Sequence, residues 1–158
     1  MIAERWRFLK FCLVGGSGLA VNLAVVWLGN EVLFVPMAEW WRTSISYALA
    51  ILVSIFTNFL LNDGWTWRDR RDEGVGAWFV RLGKYYAIAA VAAVLQYATS
   101  LAVTALAAWL VTGSATGVLS IWYKWVAVLA GVVVGTLVNF VMNHFWTYRE
   151  KIEGDPKS

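Results

Sequence analysis

The chain has 158 residues, of which 60% are hydrophobic and only 15% charged, and its mean hydropathy is +0.62. So apolar a composition excludes an ordinary soluble domain and predicts a membrane protein. The formal net charge of +3 resides in short stretches, which favours anionic lipid headgroups as partners and argues against nucleic acid.

Four apolar runs follow one another, each long enough to cross a hydrocarbon core that takes about 20 helical residues. They extend roughly over Phe8 to Val35, Thr43 to Asn62, Tyr85 to Val111 and Leu119 to Asn143. The first run is longer than the apolar region of a signal peptide, about 7 to 15 residues, so we expect it to be retained. The predicted fold is all-α and integral to the cell membrane, with four transmembrane helices.

The basic residues predict the orientation of these helices, because Lys and Arg accumulate in cytoplasmic loops. All of them except Arg42 and Lys124 lie in the N-terminal stretch up to Lys10, lie between Arg68 and Lys84, or follow the fourth run. We therefore expect both termini in the cytoplasm. Residues 151–158 would form a short polar cytoplasmic tail.

One stretch of sequence occurs twice. Asn58 to Arg68 reads NFLLNDGWTWR, and Asn139 to Arg149 reads NFVMNHFWTYR. We call these the first and second phrase. They predict an internal duplication inside a transmembrane domain of residues 1–150, with repeats at about 7–68 and 81–149.

The duplication extends upstream of the phrases. At one constant spacing, the matching pairs are Arg7 with Arg81, Lys10 with Lys84, Phe11 with Tyr85, and Asn22 with Gln96. Each predicted repeat is a helical hairpin that starts and ends in the cytoplasm. The repeats are thus parallel, and an axis along the membrane normal would relate them in a four-helix bundle.

Small and polar residues share a helix face with each phrase. At spacings of three and four residues, this face contains Gly131, Gly135, Asn139, Asn143 and Trp146 in the fourth run, and Ala50, Ser54, Asn58, Asn62 and Trp65 in the second. Small residues let helix backbones approach, and an amide side chain avoids lipid. We expect these asparagines to face protein or water.

These motifs identify the chain as similar to the GtrA-like family of small four-helix membrane proteins. The resemblance rests on Phe8-x-x-Phe11-x-x-Val14-Gly15-Gly16, on Asn58-Phe59-x-x-Asn62-x-x-Trp65-Thr66-Trp67 and on the second phrase up to Tyr148. It implies translocation of polyprenyl-phosphate-linked sugars for glycosylation of cell-surface polysaccharides. It also implies a polyprenyl-phosphate glycosyltransferase as partner.

The residue types suit such a lipid, whose phosphate needs cations and whose sugar needs uncharged hydrogen-bonding groups. The candidate substrate-binding residues are Lys10, Lys84, Arg68 and Arg149 at the cytoplasmic side, Arg42 and Lys124 outside, and Asn22, Gln96, Asn58, Asn62, Asn139 and Asn143 between them. In the alternative interpretation the cations are membrane anchors and the amides fasten helices together.

Other functions find less support in the sequence. No nucleophile with a histidine base, no carboxylate pair and no metal-ligand spacing can be assembled, and Cys12 is the lone cysteine. We therefore expect neither an enzyme nor a cofactor. No acid is placed inside the bilayer, because Glu31 and Glu39 fall at or beyond the outer end of the first hairpin and Asp63 lies at the inner boundary. This placement disfavours ion-coupled export. An adaptor that anchors a glycosyltransferase is the alternative function. Because four spans make a thin wall for a polar path, we expect a homo-oligomer.

Overall fold

The computed structural model describes residues 2–115 and 120–149, and these form helices and short connections. The α-helices are α1 (Ile2–Leu28), α2 (Glu39–Leu61), α3 (Val75–Thr112) and α4 (Ile121–Met142). Three of them continue into π-helical turns, π1 (Gly29–Leu33) after α1, π2 (Asn62–Thr66) after α2 and π3 (Asn143–Thr147) after α4.

The structure confirms an all-α membrane fold. Four helices are long and apolar enough to cross a membrane, Glu4–Leu33, Glu39–Thr66, Val75–Thr112 and Ile121–Thr147. No strand occurs in the two described stretches of the chain. The protein is a multi-pass membrane protein, and each span exceeds the minimum of about 20 residues by several residues.

Glycines with positive φ mark both ends of α3. Gly74 has φ +98°, and its carbonyl accepts the first helical hydrogen bond from Trp78 N at 3.1 Å. Gly113 has φ +74° and donates its N–H to Trp109 O at 2.9 Å. Residues with a Cβ rarely adopt this left-handed conformation, so each glycine sets a helix boundary.

Helix α3 begins about ten residues before the apolar run that predicted it. The stretch before Tyr85 combines a charge run with Trp78 and Phe79, a composition that predicts a short segment on the membrane surface or a solvated connector. From Val75 onward it is helical instead. The Trp78 ring explains the difference, because it packs edge-on against Phe59 at 5.2 Å and Phe56 at 6.4 Å. These aromatic contacts dock the start of α3 on α2.

The chain divides into two compact units, the first up to Leu82 and the second comprising Gly83–Arg149. In the first unit α1 and α2 run antiparallel, as shown by Phe11 against Trp67 near one end and Gly29 against Ser46 near the other. Midway between them, Ser54 Oγ donates to Gly18 O at 2.9 Å.

The second unit is also an antiparallel hairpin, formed by α3 and α4. Gly131 and Gly135 of α4 are buried and lie directly against the backbone of α3 at Gln96 and Ala92. With no side chain at these two positions, the helices approach closely.

Candidate functional site

Both phrases end in a π turn. Trp67 N donates to Asn62 O at 2.9 Å, and Tyr148 N donates to Asn143 O at 2.8 Å. The side chains of Trp67 and Tyr148 are 0% exposed. The wider turn places these two aromatic residues in the interior of their units, and π turns inside helices frequently occur at functional sites.

The same turns bury polar side chains. Asn62 and Asn143 are buried, and Asn143 Nδ2 donates to Asn139 O at 2.9 Å and to Asn139 Oδ1 at 2.6 Å. Thr66 is 3% exposed and Thr147 7%. Neither threonine Oγ1 has a hydrogen-bond partner among the described residues, and a buried hydroxyl of this kind is available to a ligand.

Helical spacing places Trp65 and Trp146 on the same face as Asn62 and Asn143, but the tryptophans are not buried with these asparagines. Each is 48% exposed. The π turn contains one residue more than an α turn, and Trp67 and Tyr148 take the interior positions. Each outward ring lies beside a lysine instead. Lys10 Nζ is 5.4 Å from the Trp65 ring centroid, and Lys84 Nζ is 5.7 Å from that of Trp146.

These cation–π pairs join two features that the sequence showed separately, the matching lysines and the repeated phrase. An aromatic ring within about 6 Å attracts an ammonium group without neutralising it. Among the described residues no carboxylate lies within 4.0 Å of Lys10 or Lys84. Neither lysine is therefore paired with an acid there.

The matching arginines serve a different purpose. Arg7 is buried and donates to Glu4 Oε1 at 2.8 Å and to Asp69 Oδ2 at 2.6 Å. Arg81 is 5% exposed and donates to both carboxylate oxygens of Asp63, at 2.7 and 3.2 Å.

Buried charges of this kind are stable only when they are paired. The sequence placed Asp63 at the inner boundary of the membrane without a partner. The equal spacing of Arg7 and Arg81 was the one signal that these arginines do the same work.

A cavity of about 650 Å³ opens next to Lys10 in the first unit. Its lining consists of Trp6, Arg7, Lys10, Trp65, Thr66, Arg68 and Asp69. Two predicted site residues, Lys10 and Arg68, thus meet at one cavity. Thr66 and Trp6 were missed as members, because they become neighbours only through the π turn and the packing of α1.

The other predicted residues lie elsewhere. Asn22, Asn58 and Arg42 are half-buried in the first unit, Gln96 and Asn139 are half-buried in the second, and Lys124 and Arg149 are exposed. Among these, Asn58 packs directly against Gly18, where a Cβ would overlap its amide. Gln96 packs against Gly135, with Oε1 3.0 Å from the position a Cβ would take.

The polar amides therefore stand at the places where helices cross. This position fits the fastening of helices as well as it fits contact with a ligand. Metal binding finds no basis in the described part of the chain, where no group of three or more His, Cys, Asp or Glu side chains comes together.

Similarity to known proteins agrees with this anatomy. The sequence model of the GtrA/DPMS transmembrane domain matches residues 10–147. The chain is also 32% identical over 142 residues to a dolichol-phosphate mannosyltransferase of Pyrococcus furiosus. That match covers 90% of this chain and 34% of the relative, so the chain spans about a third of the length of the curated protein it matches.

Proposed function

We propose, since the chain belongs to the family of GtrA and DPMS transmembrane domains, that it moves a polyprenyl-phosphate-linked sugar across the membrane. The family ties the chain to polyprenyl-phosphate sugar metabolism. The observation that supports translocation is the lysine beside an outward tryptophan in each unit, at 5.4 Å in the first and 5.7 Å in the second.

The proposed path follows from what each part of the lipid needs. Lys10, Lys84, Arg68 and Arg149 neutralise the phosphate on the cytoplasmic side, where charge-assisted hydrogen bonds replace its lost water. A tryptophan ring covers the apolar face of the sugar. The prenyl tail stays in the hydrocarbon throughout, so only the headgroup requires a polar route.

The amides form the middle of that route. Asn58 and Gln96 already lie at the helix crossings, and Asn22, Asn62, Asn139 and Asn143 extend the set of uncharged donors and acceptors. Arg42 and Lys124 receive the phosphate at the outer side.

The arrangement in the membrane is part of the proposal. Both termini lie in the cytoplasm, and residues 1–150 act as one transmembrane domain of two parallel repeats. Residues 151–158, for which the sequence predicts a polar tail, lie outside the described residues. Two hairpins enclose little space, so a homo-oligomer completes the route. The chain catalyses no reaction itself and binds no cofactor. Lipid moves down its own gradient or is drawn outward as the sugar is consumed.

A second candidate function is an adaptor that anchors or orients a polyprenyl-phosphate glycosyltransferase. The size of the mannosyltransferase relative favours it, because the matched region is 34% of that protein. The docking surface would include the exposed residues from Arg68 to Glu73 and Phe79, which is 60% exposed. Trp78 precedes Phe79 in the sequence, so the sequence alone would add it to this surface, but its side chain packs on Phe59 of α2.

Translocation is tested in liposomes that contain only this protein and a fluorescent polyprenyl-phosphate sugar. We expect the wild type to move the lipid, and the double variants Lys10→Ala/Lys84→Ala and Asn58→Ala/Asn139→Ala to slow it about tenfold or more, because each loses hydrogen bonds to a charged or polar headgroup. The accessible fraction of labelled lipid is measured over time.

The matched control exchanges exposed connector residues, Arg71 and Glu73, for serine, which leaves the lysines and amides in place. A wild type that moves no lipid but still binds a glycosyltransferase through the connector would replace translocation by the adaptor function.

A further inference from the structure

We propose that the cavity around Lys10 is the binding site for the phosphate ester of a lipid headgroup, and that the Lys84 pair in the second unit is not an equivalent site. This inference rests on the proposed function and specifies where its substrate is captured. The sequence treats the two lysines alike, and the structure distinguishes them.

The charges around the cavity favour an oxyanion. Of the three cations in its lining, Arg7 is already neutralised by Glu4 and Asp69. Lys10 and Arg68 have no carboxylate within 4.0 Å among the described residues. The one acid in the lining, Asp69, is 2.6 Å from Arg7, so the two remaining cations are left to a ligand.

Thr66 adds a directional donor to these charges. It lines the cavity, is 3% exposed, and its hydroxyl lacks a partner among the described residues. A buried hydroxyl without a partner costs free energy that a bound phosphate oxygen would recover. Thr66 is thus a binding residue that charge alone does not reveal.

The size and walls of the cavity suit a headgroup. Its volume of about 650 Å³ lies inside the range of about 300 to 1,000 Å³ typical of small-molecule sites. Two aromatic rings, Trp6 at 60% exposure and Trp65 at 48%, border it. Such rings offer an apolar surface to a sugar ring or to the first units of a prenyl chain.

The second unit differs at the corresponding lysine. Lys84 Nζ donates to the backbone carbonyl of Trp146 at 3.3 Å, so the protein already uses one of its hydrogen bonds. That contact holds the Lys84 ammonium group near the π turn and leaves it fewer N–H donors for a ligand. The Lys84–Trp146 pair therefore serves as the comparison for the Lys10–Trp65 pair in binding experiments.

The test measures binding, without transport, of radiolabelled farnesyl phosphate to the full-length protein in phosphatidylcholine nanodiscs. We expect Lys10→Gln to weaken binding about tenfold or more and Thr66→Val about three- to tenfold, since each removes one hydrogen bond to a charged group. Thr147→Val is the matched control and should change binding less than about twofold. Lys84→Gln is the comparison variant and should weaken binding less than Lys10→Gln, because Lys84 already donates to Trp146 O.

Two further ligands identify the source of the phosphate. Farnesol lacks the charge and should not compete, and inorganic phosphate lacks the tail and should compete only weakly. Equal competition by inorganic phosphate would show a site for free phosphate and would overturn the assignment to a lipid. The thermal midpoint of each variant is recorded, so that loss of folding is separated from loss of binding.

The remaining outcomes separate this inference from the proposed function. Farnesyl phosphate that binds equally well to wild type, Lys10→Gln and Thr66→Val would overturn the site and leave translocation standing. Equal weakening by Lys84→Gln would also overturn it, in favour of two equivalent sites. A wild type that binds no prenyl phosphate would overturn both, provided that the liposome assay shows no movement either.

Discussion

The two units differ in which helix supplies the glycine, and which the polar side chain, at the point where their two helices cross. In the first, the glycine belongs to α1 (Gly18) and the polar side chains to α2 (Ser54 and Asn58). In the second, the glycines belong to α4 (Gly131 and Gly135), and the polar side chains are Gln96 and Ser100 of α3. A close crossing thus needs a small residue opposite a polar one, and either helix can supply either member.

The C-terminal halves of the two phrases differ more. Asp63 in the first phrase is buried and paired with Arg81 at 2.7 Å. His144 occupies the same place in the second phrase, half-buried, and its ring lies 4.7 Å from Phe145 and 5.8 Å from Phe140. At this position the first unit has a buried ion pair and the second has ring contacts. Matching substitutions should therefore change the free energy of unfolding by unequal amounts.

The largest difference is expected at these two positions. Asp63→Ala leaves Arg81 buried without its carboxylate and should lower the free energy of unfolding by about 3 kcal/mol or more. His144→Ala removes the ring contacts with Phe140 and Phe145 and should cost about 1 kcal/mol. Unfolding in mixed detergent micelles measures both.

The double variant Asp63→Ala/Arg81→Leu is the control, because it also removes the Arg81 guanidinium, which the single variant leaves buried without a carboxylate. It should recover much of the lost stability. If Asp63→Ala and His144→Ala cost the same, the ion pair is not what distinguishes the two positions.

A smaller difference is expected at the crossings. A Cβ at Gly131 would meet the Gln96 backbone carbonyl, which cannot move aside, whereas a Cβ at Gly18 meets only the end of the Asn58 side chain. Gly131→Ala should therefore destabilise the protein by about 1 to 3 kcal/mol and Gly18→Ala by less.

Thermal unfolding of the two alanine variants in one detergent checks this order. Gly83→Ala is a suitable reference, because a Cβ there would have nothing within 4 Å among the described residues. A larger loss for Gly18→Ala than for Gly131→Ala would show that the Asn58 side chain is held more rigidly than the helix backbone.

The smallest effect concerns one hydrogen bond of the first crossing. Ser54→Ala removes the bond from Ser54 Oγ to Gly18 O and should cost about 0.6 kcal/mol, the usual value inside a membrane. Ser17→Ala is the control, since the Ser17 hydroxyl bonds within its own helix, to Val14 O at 2.7 Å. Equal unfolding free energies for the two variants would mean that the interhelical bond adds nothing.

Much of the fold could be predicted from the sequence because its signals are local. Apolar length identified four spans, and spacing of four residues placed Gly131, Gly135 and Asn143 on a buried face, as the structure has them. The matched Lys10 and Lys84 pointed to sites of interest. The duplication as a symmetry of the whole bundle and the orientation in the membrane stay predictions.

The rest depends on distant or subtle geometry. The pairing of Arg81 with Asp63 joins residues on separate helices, and charge counting assigned Arg81 only to a loop. The π turn interrupts the spacing from which the position of Trp65 was predicted. The cavity, and the place of Thr66 in its lining, can be recognised only when the ion pairs and the π turn are known.

Each π turn has one further consequence for how these helices tolerate change. Its ring contains one residue more than an α turn, so the chain between Asn62 and Trp67 holds slack that a straight helix would lack. Loss of one residue there would shorten the span by only about 1.5 Å yet rotate everything that follows. A one-residue change in this turn therefore alters the direction of the tryptophan side chain far more than the length of the span.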